Sequence, residues 1–118
     1  MYRSTVKADM NVVGINFDEY EEEMTGGKRV ALVDNPYMDY HWYVYDETTG
    51  TWYNKNGTCY ATNKMLIGFD EKGNPIYGDT ITDYTIAADI LGYKVVGEYY
   101  ITRQDGSCFD EKLSEIFN

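Results

Sequence analysis

The chain has 118 residues and a formal net charge of −10 at neutral pH, from 20 acidic and 10 basic residues. This length fits one domain over residues 1–118, which can bury a hydrophobic core without disulfides or metals. The acidity argues against direct binding of nucleic acid, whose phosphates select clustered lysine and arginine. The aromatic content of 16% argues against intrinsic disorder.

Several function classes lack their sequence signals. No segment approaches the roughly 18 apolar residues of a membrane helix, and residues 1–13 lack the apolar core of a signal peptide. We therefore expect a cytoplasmic protein with no membrane partner. Cys59 and Cys108 form no C-x-x-C pair and His41 is the only histidine, so we expect no metal site and no cofactor.

The N-terminal part of the chain is predicted to start with helical segments. A serine cap and good helix formers predict a short helix over residues 4–10, and the acidic residues 18–24 predict a helical turn that ends at Gly26 and Gly27. Six later segments are rich in β-branched and aromatic residues and lie between turn signals, which predicts strands. They occupy residues 28–34, 39–46, 51–55, 64–69, 74–77 and 94–102.

The clearest predicted helix covers residues 80–92, with Thr82 or Asp83 as its N-cap and Gly92 as its end. A further short helix is predicted over residues 109–117. Apolar residues at helical spacing predict the buried stripe of the first helix. These are Ile86, Ile90 and Leu91 or Tyr93. The predicted fold class is α+β, with a mostly antiparallel sheet of about six strands and two to four short helices.

The predicted hairpin of residues 39–56 concentrates chemically useful side chains on one face. A four-residue turn over residues 47–50 pairs Asp46 with Thr51, and alternate residues of paired strands then share a face. One face carries His41, Tyr43, Tyr45, Trp52, Asn54 and Asn56. An imidazole base, an amide that orients it and a shielding indole form half of a cysteine-peptidase site. A partly buried histidine with one backbone hydrogen bond fits the same pattern without catalysis.

The same region resembles a known family. The segments VALV (residues 30–33), DYHWY (39–43) and GTWYNKNG (50–57) resemble bacterial and phage papain-like cysteine hydrolases, over about residues 28–78. The resemblance implies the β-rich half of a papain-like fold, with His41 as the catalytic histidine.

The chain also departs from that family pattern. Val44 stands where the family has arginine, and no cysteine precedes His41, where the nucleophile and its helix belong. The chain is then a piece of a longer protein or a relative that has lost catalysis. Cys59 is the alternative thiol, since it lies three residues beyond Asn56.

An acidic cluster is the sharpest charge feature. It comprises Asp18, Glu19, Glu21, Glu22 and Glu23. Such a cluster is either a solvated surface or a docking surface for a basic protein partner, because long-range attraction speeds association. The 13 tyrosines fit either a half-exposed sheet or an interface.

Three functions remain open from the sequence. The first is a non-catalytic protein-binding module that contacts its partner through the acidic cluster and an aromatic sheet face of Tyr43, Tyr45 and Trp52. The second is a cysteine hydrolase half-site of His41 with Asn54 or Asn56, whose cysteine is Cys59, Cys108 or a residue of a missing segment. The third is an acidic inhibitor that blocks a nucleic-acid-binding protein.

Overall fold

A computed structural model describes residues 14–37, 39–55 and 61–107. These residues form seven β-strands and one short α-helix. In chain order the elements are β1 Ile15–Glu19, β2 Lys28–Asp34, β3 Tyr40–Asp46, β4 Thr51–Tyr53, β5 Lys64–Phe69, β6 Pro75–Thr80, α1 Tyr84–Ile90 and β7 Lys94–Arg103. Among these described residues, no helix is long and apolar enough to span a membrane.

The predicted α+β class is wrong, because the described part of the chain is mostly β and contains a single seven-residue helix. The helices expected over residues 4–10 and 109–117 lie outside the described residues. The helical turn expected over residues 18–24 is also wrong. Asp18 and Glu19 instead belong to β1, where pairing with β7 and burial of Phe17 outweigh the local preference of the acidic run.

Five strands form one antiparallel sheet in the order β1-β7-β2-β3-β4. β2 lies at its centre and pairs with β3 on one side and β7 on the other. This position explains the continuous burial of Val30 through Val33, which are at most 1% exposed. β5 and β6 form a separate two-stranded hairpin.

The register predicted for the β3–β4 hairpin is confirmed. Asp46 pairs with Thr51 and Tyr45 pairs with Trp52, so the turn has the four residues expected. Backbone bonds attach the β5–β6 hairpin next to this one. The Trp52 N–H donates to the Ile81 carbonyl, and Asn54 and Thr62 exchange both backbone bonds.

Each face of the five-stranded sheet carries its own core. The face we call the helix side holds Ala31, Val33, Tyr43 and Trp52 together with residues of α1. The core on the opposite face is formed by side chains of β1, β2, β3 and β7. These are Phe17, Val30, Leu32, Val44, Tyr99 and Ile101.

Helix α1 is shorter than the predicted range of residues 80–92, because Thr80 belongs to β6, and it buries a different stripe. The Asp83 carboxylate accepts the Thr85 N–H, and Gly92 at φ 80° ends the helix. The predicted stripe is wrong for Ile86 and Ile90, which are 53% and 50% exposed, whereas Tyr93 is partly buried against the helix-side core. The buried residues are Tyr84, Ala87 and Ala88. The two alanines let the helix approach the bulky aromatic rings of the sheet closely.

Candidate functional site

An open groove lies where β1 ends and β7 continues with no described strand on that edge. The last residue pair between these strands is Glu19 with Tyr99, and the Tyr20 N–H then donates to the Glu98 carbonyl at 3.1 Å. β7 extends further, to Lys94. The groove has a volume of about 450 Å³. We call it the β7 groove, and it is lined by Glu19, Tyr20, Arg29, Tyr84 and the segment from Val95 to Tyr99.

An ion pair forms the floor of the β7 groove. Arg29 of β2 donates from Nε to Glu98 Oε1 of β7 at 2.6 Å, and the Tyr84 hydroxyl of α1 donates to Glu98 Oε2 at 2.9 Å. The charged side chains are 28% and 29% exposed, so solvent weakens the ion pair. Burial and the Glu98 hydrogen bond raise the pKa of the Tyr84 phenol, which keeps it a donor at neutral pH.

Three aromatic rings surround the Arg29 guanidinium. Its central carbon lies 4.4 Å from the ring centroid of Tyr20, 5.1 Å from that of Trp52 and 5.3 Å from that of Tyr45. These distances are within the range of cation–π attraction. Arg29 is thereby held by rings and by Glu98, and its positive charge is neutralised within the groove.

The predicted acidic cluster borders the β7 groove. Asp18 and Glu19 lie on β1, and Glu21, Glu22 and Glu23 lie in the turn that follows. All five residues are exposed. Since Glu19 also lines the groove, the acidic surface and the cavity are continuous.

The structure brings His41 and Asn54 together on the helix side. His41 Nε2 lies 2.9 Å from Asn54 Oδ1, and Asn54 Nδ2 donates to the Thr62 carbonyl at 3.2 Å. The second bond fixes the amide orientation, so Oδ1 accepts the Nε2–H of His41. In the neutral imidazole the lone pair then lies on Nδ1, as a general base oriented by an amide requires.

Aromatic side chains enclose His41. Its ring stacks on Tyr93 at 5.6 Å between centroids and meets Tyr43 edge-on at 5.0 Å. The Tyr93 hydroxyl donates to Asp39 Oδ2 at 3.4 Å. The Tyr43 hydroxyl is buried and has no hydrogen-bond partner among the described residues. Burial raises the pKa of Tyr43 far above its ordinary value, so the phenol stays protonated.

The remaining predicted site residues are placed differently. Tyr43 is 0% exposed and Trp52 is 4% exposed, and Tyr45 is half-buried. The first two therefore belong to the core between the sheet and α1, and they present no face to a partner. Asn56 and Cys59 lie outside the described residues.

Sequence reasoning missed Arg29, Glu98 and Tyr84 as site residues. A signal was present in β7, where Glu98 is the lone acid inside the apolar run from Val95 to Ile101. A single charge in such a strand indicates a partner of opposite charge on a neighbouring strand. The pairing of β7 with β2, which links distant parts of the chain, was needed to identify Arg29.

Removing the hydroxyl of Tyr43 and removing that of Tyr84 should change the stability of the protein in opposite directions. Tyr43→Phe should raise the free energy of unfolding by about 1 kcal/mol, because an unpaired buried hydroxyl is unfavourable. Tyr84→Phe should lower it by about 1.5 kcal/mol, since a hydrogen bond to a charged acceptor is lost. Urea denaturation measures both changes. A loss of stability in Tyr43→Phe would show that its hydroxyl does have a partner.

Stability should fall as His41 becomes protonated. Burial lowers the pKa of His41 below its ordinary 6.5, although Asn54 and the Asp39 carboxylate act in the opposite direction. The unfolded chain therefore takes up this proton at higher pH than the folded chain. The stability contribution is complete above pH 6.5 and is lost as the pH falls from there towards the lowered folded pKa.

Denaturation curves of the wild type and of His41→Gln from pH 7 to about pH 5 test this prediction. The wild type should lose stability over this range, and the variant, which has no imidazole to protonate, should lose less. The carboxyls of Asp70 and Asp105 titrate below the pH range of this experiment, because hydrogen bonds hold the pKa of each below 3.8. Equal losses in both proteins would contradict the role given to His41.

Comparison of the chain with protein-family models, curated proteins and solved structures found no match. The resemblance to papain-like hydrolases remains an expectation from the sequence. Among the described residues no group of three or more metal-ligating side chains converges. The candidate sites are therefore the β7 groove with its acidic border and the His41–Asn54 pair.

Proposed function

We propose that this domain is a non-catalytic protein-binding module whose acidic surface takes up a basic protein partner. The observation that carries the proposal is the continuity between the exposed acidic cluster and the β7 groove, which share Glu19. The groove provides a concave surface that a partner can fill, and the carboxylates attract a basic partner and orient it. The buried aromatic face of Tyr43 and Trp52 has no part in this proposal.

The charges of the groove support a cationic partner. Arg29 is the groove's basic residue, and its charge is neutralised by Glu98 at 2.6 Å. The other charged residue that lines the groove is Glu19, and its border adds the exposed carboxylates of Glu21, Glu22 and Glu23.

The test is calorimetric titration with a heptapeptide of alternating lysine and threonine. The triple variant Glu21→Gln, Glu22→Gln, Glu23→Gln should bind it about tenfold more weakly at low ionic strength, since three favourable charges are removed. Binding of the wild type should also weaken as the ionic strength rises from about 0.01 M to about 0.15 M.

A matched control separates a local site from net charge. The variant Glu71→Gln, Asp79→Asn, Asp89→Asn removes the same number of charges from exposed positions away from the groove. It should bind like the wild type. The proposal is overturned if both triple variants weaken binding equally, or if the wild type does not bind at low ionic strength.

The 2.9 Å contact between His41 Nε2 and Asn54 Oδ1 favours a second function, a cysteine hydrolase half-site. The test is the alkylation rate of each cysteine with iodoacetamide, with and without His41→Gln. A hydrolase predicts one fast-reacting thiol that slows at least tenfold in the variant, because the imidazole promotes the thiolate. Slow labelling of both thiols that does not depend on His41 would exclude this function.

A further inference from the structure

Among the described residues, one edge of β7 lies open along the β7 groove. β1 pairs with β7 only from Arg103 to Tyr99, and the Tyr20 N–H to Glu98 carbonyl bond is the last on that side. Beyond it, no described strand lies beside the segment from Lys94 to Gly97 on this edge. The groove occupies the space alongside Val95, Val96 and Gly97.

The other edge of this segment contains a β-bulge. β7 pairs with β2 through Gly97 with Leu32 and through Val95 with Val33, so Val96 has no partner residue in β2. The extra residue of a bulge is left out of the ladder on the bulged side. Val96 therefore takes no part in the pairing of β7 with β2.

We infer that the β7 groove binds its partner by strand addition, in which an extended basic segment of about four residues pairs with the open edge of β7. This inference rests on the proposed function and specifies the mode of binding and the class of partner. Backbone hydrogen bonds hold the segment on the edge. Lysine or arginine at alternate positions faces the acidic border formed by Glu19 and the turn after it, because alternate side chains of a strand share a face.

Charge argues for a basic segment over a second copy of this chain as the occupant. Two copies of the chain each carry a net charge of −10, so they would repel each other on pairing at this edge. Lys94 at the start of the strand and the bulge at Val96 also oppose the long, flat pairing that joins identical edges. A short cationic segment avoids the repulsion between two acidic chains and needs only a few residues of the edge.

Backbone methylation of the probe peptide tests strand addition without altering the protein. Amides of alternate residues in a strand point to opposite edges, so methylating either the lysine or the threonine amides blocks one edge at a time. One of the two methylated heptapeptides should bind at least tenfold more weakly than the parent, and the other should bind nearly as well. Exchange of the Val96 amide hydrogen should also slow when the parent peptide is bound.

A second peptide of the same composition, with its lysines in one block, serves as the charge-matched control. It should bind more weakly than the alternating peptide. Strand addition is overturned if the two methylated peptides bind alike, or if the block and alternating peptides bind alike, while the proposed function stands in both cases. Failure of the unmethylated peptide to bind would overturn the proposed function as well.

Discussion

Replacing Gly27 by alanine is expected to lower the free energy of unfolding by about 3 kcal/mol or more, as severe overpacking does. A Cβ atom at Gly27 would lie 2.1 Å from the Ile101 carbonyl oxygen, which belongs to the backbone of β7 and cannot swing aside. The Gly27 N–H also donates to the Tyr100 hydroxyl at 2.9 Å. Gly27 thus lets the turn after the acidic cluster return close to the sheet.

Chemical denaturation measures this loss, and Gly68→Ala is the matched control. A Cβ at Gly68 would have no neighbour within 4 Å, and Gly68 has no left-handed backbone conformation. The control should change stability by less than about 1 kcal/mol. Equal stability of Gly27→Ala and wild type would contradict the close packing of this turn on β7.

Replacing Trp52 by alanine should cost about 3–5 kcal/mol, the usual range for a large aromatic residue lost from a core. The indole is 4% exposed and lies 4.5 Å from the ring of Tyr84 and 4.9 Å from that of Tyr45. It also contacts the Arg29 guanidinium. The variant therefore leaves a cavity between the sheet and α1 and loosens the floor of the β7 groove.

The Trp52→Ala variant also tests whether Trp52 is a core residue or a residue that contacts a partner. Tyr37→Ala is the control, because this aromatic side chain is 89% exposed and its removal should leave stability unchanged. A Trp52→Ala protein that keeps wild-type stability and loses only binding would contradict the assignment of Trp52 to the core. Thermal and urea unfolding provide the measurement.

Local patterns predicted the hairpins and helix ends well. Alternation and turn length were sufficient to pair Asp46 with Thr51 and to place His41 and Asn54 on one face. Residue types alone narrowed the N-cap of α1 to Thr82 or Asp83, of which Asp83 is the cap, and indicated Gly92, which follows the C-cap Leu91. In the hairpin, the interacting residues are close in the chain. At the end of α1, the backbone requires the positive φ that Gly92 adopts.

Features that depend on distant pairing could not be predicted in this way. β1 was missed because its partner β7 lies more than 80 residues further along the chain, as in the pairing of Ile15 with Arg103. The buried stripe of α1 was misjudged because the bulk of the aromatic sheet face selects alanine there over Ile86 and Ile90. The groove arises from the different lengths of β1 and β7, which no local pattern encodes.

In the β3–β4 hairpin, the prediction that the aromatic side chains share a face is correct, but the prediction that this face is exposed to a partner is wrong. The side chains of Tyr43 and Trp52 do lie on one face, but α1 covers that face. Periodicity identifies which residues lie together and does not identify which face is covered. The acidic cluster was easier to place, because carboxylates are rarely buried without partners.

The central claim, that a basic partner binds at the acidic border of the β7 groove, is tested most directly by amide chemical shifts of the ¹⁵N-labelled domain during titration with the alternating lysine–threonine heptapeptide. We predict that the largest shifts occur from Tyr20 to Glu23 and from Val95 to Glu98. Shifts confined to the exposed apolar residues of the β5–β6 hairpin, such as Ile67 and Phe69, would contradict the claim. So would shifts centred on His41 with none in the groove.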